Sequence, residues 1–177
     1  DDLALIADGF VRLAHRTEDF EPIFTQLGLT GNDRQLVEDE LRAIRLTAIT
    51  LGMIALRIVE KEKILEHFGD QLLQAHIEED SVPAFQAVVE TSKDYLATTQ
   101  DETDAARSVG RRFAERLGQS WNVDYNIAGS LIYKTTYEAT KRVFGDTSPP
   151  DCPDNPSPSD VAGATNAEVE EVATISC

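Results

Sequence analysis

The feature that most constrains this chain is a row of apolar residues in its first third. Val37, Leu41, Ile44, Ala48, Leu51, Ala55 and Ile58 alternate at spacings of four and three, which is a heptad seam. A second row, Leu46, Ile49, Met53 and Leu56, widens it and leaves a narrow polar strip of Thr47, Thr50, Arg57 and Lys61. A helix apolar over most of its circumference has to be covered on several sides. Either the chain's own helices surround it or a second copy covers the remainder. The longest nearly apolar run, 46–59, contains Arg57 and two threonines. It falls short of the roughly 20 residues that cross a bilayer, so it predicts a buried core helix and no membrane span.

The rest of the first 145 residues carries the same period. Leu3, Ile6, Phe10 and Leu13 predict an amphipathic helix over 2–15, followed by a short one to about Leu27 with Pro22 in its first turn. Gly28 and Gly31 break the chain, and Asn32 or Asp33 is expected to cap the seam-bearing helix. Further helices are predicted over 63–78, 82–98, 101–117 and 123–144, with Pro83 opening the second of these and Thr99 to Glu102 forming a capping box for the third. The expectation is a compact bundle of six or seven helices around a long apolar central helix, with no strands and no internal repeat.

After Gly145 the composition changes. Residues 146–177 hold five of the seven prolines, seven acids and no Lys or Arg, which reads as a disordered acidic tail outside a 1–145 helical domain. Within it, Val169, Val172 and Ile175 offer a short segment for a partner. Both cysteines, Cys152 and Cys177, also fall there, so the body has neither a disulfide framework nor a thiolate nucleophile. The ending TISC lacks a Cys four residues from the end and is not a prenylation signal. No charged-then-apolar leader opens the sequence, and a cytoplasmic location is expected. A net charge of −16, or −9 without the tail, opposes attraction to nucleic acid phosphates and anionic membranes. An acidic, lysine-poor chain fits a salt-rich cytoplasm or an ordinary acidic cytosolic protein.

The chemical candidates are few. ILEHFGDQLLQAHIEED at 64–80 sets two of three histidines among five carboxylates, but His67 and His76 are two and a half turns apart and face opposite ways. Neither has a Glu three residues before it, which excludes the carboxylate-bridged di-iron pattern, and no metal site is expected. His67 belongs to the polar face. His76 continues the stripe of Leu65, Phe68, Leu72 and Ala75, as a packed core histidine or as the ligand of something bound, such as haem. His15 ends the first helix, where a cation complements the helix dipole. No nucleophile elbow or glycine-rich phosphate loop is present, so catalysis finds no support.

Two constellations suit binding. Arg107, Arg111, Arg112 and Arg116 concentrate positive charge on one helix, for an anion, an acidic partner or the chain's own tail, or simply to complement the helix dipole. Asn126, Ser130, Tyr133 and Tyr137 form a polar-aromatic row on the last helix, just beyond Trp121. The leading functional expectation is a non-enzymatic interaction or regulatory module, homo-oligomeric through the seam, with protein partners at the tail or last helix. The alternative is a domain binding a small molecule, haem or lipid between His76 and Tyr133/Tyr137. No particular cofactor is indicated.

Overall fold

The computed structural model describes residues 2–56, 60–100 and 104–143. Arg57, Ile58, Asp101, Glu102 and the whole of 146–177, with Cys152 and Cys177, lie outside them. Among the described residues the protein is all α, with no strand: α1 (Asp2–His15), a 3-10 turn (Glu18–Phe20), α2 (Glu21–Leu27), α3 (Gly31–Ala55), α4 (Lys61–Glu78), α5 (Val82–Thr98), α6 (Ala105–Arg116) and α7 (Val123–Arg142). No helix there is long and apolar enough to cross a membrane.

Local chemistry sets the breaks. Gly28 takes φ +64° after α2, and Gly118 takes φ +68° after α6; an L side chain is strained at both. Pro22 and Pro83 occupy the first turns of α2 and α5, where a missing N–H costs nothing. The Lys61 ammonium donates to the Ile54 carbonyl at 3.0 Å and so satisfies the end of α3. The start of α6 differs from expectation. Asp104 caps it by accepting from the Arg107 N–H at 3.1 Å, whereas the Thr99 hydroxyl donates back to the Leu96 carbonyl and stays with α5. The start of α3 differs too. Asn32 and Asp33 are inside the helix, and Thr30 is the cap residue without a side-chain cap bond.

The longest helix, α3, joins two apolar clusters. Val37, Leu41, Ile44 and Ala48 pack with Phe20, Phe24, Phe113, Ile132 and Tyr133, while Ile49 and Met53 pack with Ala7, Phe10, Ile64, Phe68 and Leu72. It lies against α7 and α5 and also meets α1 and α4. The long apolar central helix expected from sequence is corrected in two respects. Its buried face includes Glu40, Arg45 and Thr47, and its far end opens, with Ala55 exposed and Leu56 already in extended backbone. Thr47 leaves the solvent strip because its hydroxyl bridges the Ala43 carbonyl at 2.9 Å and the Ser92 carbonyl of α5 at 3.0 Å.

Small residues let α7 approach its neighbours. A Cβ on Gly52 of α3 would come within 2.8 Å of Thr140, and one on Gly129 would meet Phe113 at the same distance. At Gly110 the approach is closer still: a Cβ would stand 2.2 Å from the Asn126 carbonyl oxygen. These crossings fix where the α6–α7 surface lies.

Candidate functional site

The two binding constellations converge in part. Arg107 and Arg111 of α6 border an open groove of about 970 Å³ whose other wall is α7, including Asn126, Ser130, Tyr133 and Tyr137. The polar-aromatic row is nevertheless built mostly into helix packing. The Ser130 hydroxyl donates to the Ala106 carbonyl at 2.8 Å, and the Asn126 amide donates to the Asn122 carbonyl at 3.1 Å. Tyr133 is buried, which pushes its phenol up to about 12, and its ring stacks on Tyr137 at 5.9 Å. Tyr137 is more open, with the Lys141 ammonium 5.7 Å from its ring centre.

The accessible wall of the groove is a row that sequence reasoning overlooked. Val123, Ile127 and Leu131 recur every four residues on α7 and are all about half exposed or more. Trp121, just before them, is 98% exposed. Burying a tryptophan this open removes about 150–250 Å² from water, so this side chain is a large uncovered apolar surface. Lys134 continues the row at its far end, so the groove has an apolar wall and a rim carrying Arg107, Arg111 and Lys134 with one carboxylate, Asp104. The signal was present as a spacing of four from Val123 to Leu131.

Arg112 and Arg116 point elsewhere. They lie more than a quarter turn round α6 from Arg107 and Arg111, and both are held by carboxylates inside the fold. Arg112 pairs with Asp94 at 2.9 and 3.1 Å. Arg116 forks onto Glu40, with Nε–Oε2 at 2.8 Å and Nη2–Oε1 at 2.9 Å, and also reaches Asp94 at 3.1 Å. The buried Tyr95 hydroxyl donates to Glu40 Oε2 at 2.6 Å, and burial raises its pKa well above the ordinary phenol value. The hydrogen bond from Arg112 lowers the Asp94 pKa, so this carboxylate is held charged. The expected face of four arginines is therefore two pairs, one at the groove and one tying α3, α5 and α6 together.

His76 does not join the tyrosines. It lines a cleft of about 560 Å³ formed by the end of α1, α3, the end of α4 and the start of α5. Its ring stacks on Phe85 at 4.3 Å and meets the His15 ring at 5.2 Å. Nδ1 lies 2.7 Å from the Ser81 hydroxyl. Burial lowers its pKa, with the neighbouring His15 adding to the effect. A single pocket spanning His76 and Tyr133/Tyr137 is thus not formed, because their helices present them to different openings. Among the described residues no three His, Cys, Asp or Glu side chains are grouped to hold a metal ion.

One buried cation went unanticipated. Arg45 is fully buried on α3, paired with Asp19 at 2.6 Å and lying over the Phe20 ring at 4.4 Å. Its Nε and Nη1 have no protein partner. An arginine within an apolar helix reads as a solvent-facing interruption unless its carboxylate partner, distant along the chain, is known. Comparison of the chain with family models, with curated proteins and with solved structures gave no match.

Proposed function

We propose that this protein is a non-enzymatic interaction module whose recognition surface is the α6–α7 groove, and that its partner presents an acidic amphipathic helix. The observation that carries this reading is the exposed row of Val123, Ile127 and Leu131, with Trp121 beside it and Arg107, Arg111 and Lys134 along the groove. A helix docks into such a surface through apolar residues at positions i, i+3 or i+4, and i+7. The positive rim selects acidic flanks and steers their approach, a local reversal of charge in a chain of net −16. Of the partner surfaces expected from sequence, the tail and the last helix, the reading rests on the last helix alone.

The proposal does not rest on self-association through the α3 seam, whose Val37, Leu41, Ile44 and Ala48 are buried by the chain's own helices. The test is fluorescence anisotropy of a labelled helical peptide bearing leucines on one face and glutamates on the flanks, against the native chain and a Leu131→Ser variant. Binding lost on substitution and weakened by salt is expected. Equal binding by both chains, or by a peptide with lysines in place of the glutamates, overturns the proposal.

A further inference from the structure

A second binding site lies away from the groove, in the histidine-lined cleft at α1, α3, α4 and α5. Its volume of about 560 Å³ falls within the range of roughly 300–1,000 Å³ typical of small-molecule pockets. One wall is a stack of three rings in the order His15, His76, Phe85, with centroid separations of 5.2 and 4.3 Å. Leu36, Leu72 and Val88 supply further apolar surface. At the end of this stack His15 Nε2 is buried without a protein partner. Buried polar atoms are usually hydrogen-bonded, so His15 Nε2 is a contact point for a molecule in the cleft.

The charges of the cleft identify the kind of ligand. Glu38, Asp39, Glu40 and Glu79 line it against one cation, Arg42. Arg42 is committed to Glu38 at 2.6 and 3.1 Å, and Glu40 is committed to Arg116 and Tyr95. Asp39 accepts from the neutral Gln35 amide at 2.9 Å, and Glu79 stands close enough to His76 to act on its ionisation. Neither carboxylate has a cation to neutralise it in these contacts. An ammonium satisfies them. Aromatic rings add attraction for a cation and a flat surface for an apolar body.

We infer that the cleft binds a small organic amine with an apolar or aromatic body, its ammonium drawn by Asp39 and Glu79 and its body packed against the His76–Phe85 wall. The site is independent of the groove, so its failure leaves the proposed partner surface untouched. Calorimetric titration of the full chain with 2-phenylethylamine tests it, with phenylacetate as the probe of the same body and opposite charge. The amine is expected to bind saturably, and the double variant Asp39→Asn, Glu79→Gln to weaken it about tenfold, the scale set by loss of two partly exposed ion pairs. Both positions are at the surface and the variant's thermal melt checks that it folds. His15→Phe is a second variant and also weakens the amine. Tighter binding of phenylacetate, no saturable binding of the amine at millimolar concentration, or an amine affinity unchanged in the folded double variant overturns the inference.

Discussion

Replacing Glu40 with leucine tests whether the Arg116 end of α6 is an internal brace or a binding surface. Glu40 is almost fully buried and takes the Tyr95 hydroxyl at 2.6 Å together with the Arg116 fork. In the Glu40→Leu variant the Tyr95 hydroxyl, on a fully buried residue, loses its acceptor, at a cost of about 1–3 kcal/mol. Arg116 loses less. Its side chain is 28% exposed and keeps Asp94 at 3.1 Å, so screening limits that contribution to about 1 kcal/mol. The total is about 2–4 kcal/mol, read as a lower urea midpoint at unchanged slope. Tyr95→Phe alone costs about 1 kcal/mol, because Glu40 keeps Arg116. In the double variant no hydroxyl remains to be stranded, so the combined cost falls below the sum by about 1 kcal/mol or more. Additive costs, or an unaffected midpoint in Glu40→Leu, refute the brace.

Other perturbations separate neighbouring explanations. Gly110→Ala is expected to destabilise by about 1–3 kcal/mol, since the backbone carbonyl of Asn126 cannot move aside. Gly69→Ala, with open space around it, stabilises by about 0.5–1 kcal/mol through helix propensity; urea melts giving the same sign for both contradict the packing described. Removing the carboxylate in Asp19→Ala strands the buried Arg45 and costs about 3–5 kcal/mol, whereas Arg45→Met is expected to be near neutral. Equal losses in thermal melts run in parallel refute that assignment. His76 has a folded pKa below its ordinary 6.5. Its contribution is therefore complete above 6.5 and is lost as pH falls through the folded value. Melting temperatures measured on acidification decline through that interval, and His76→Phe flattens the decline; an identical profile in the variant assigns the effect to other groups.

The helical period was legible because burial follows it. The segments around Leu3 to Leu13 and Val123 to Val143 came out close to their observed bounds, and the two proline-opened helices did as well. What sequence periodicity does not carry is the pairing of residues distant along the chain. The Arg107 to Arg116 cluster looks uniform in one dimension, but Arg116 and Glu40 are 76 residues apart, and their ion pair turns half of the cluster inward. The same limit applies to His76. Its position on an apolar stripe was evident, but Phe85 and His15 reach it only after α1, α4 and α5 assemble. The seam of α3 implied cover without saying whose, and the small residues of α7 supply it from within the chain. Gly52, where α3 meets Thr140 of α7, carried the missing signal, since glycines inside helices often mark close approach.

Docking of an acidic amphipathic helix in the α6–α7 groove is tested most directly through Trp121, the chain's single tryptophan, which lies beyond the groove's end and shares a neighbouring depression with Val123 of the groove wall. The Trp121 emission is expected to begin strongly exposed to an added neutral quencher. Titration with the leucine- and glutamate-bearing peptide, itself without tryptophan, should shift the emission to the blue and protect it, saturably and more weakly as salt is raised. Binding of that peptide with no change in Trp121 emission or quenching would place recognition elsewhere and contradict the claim.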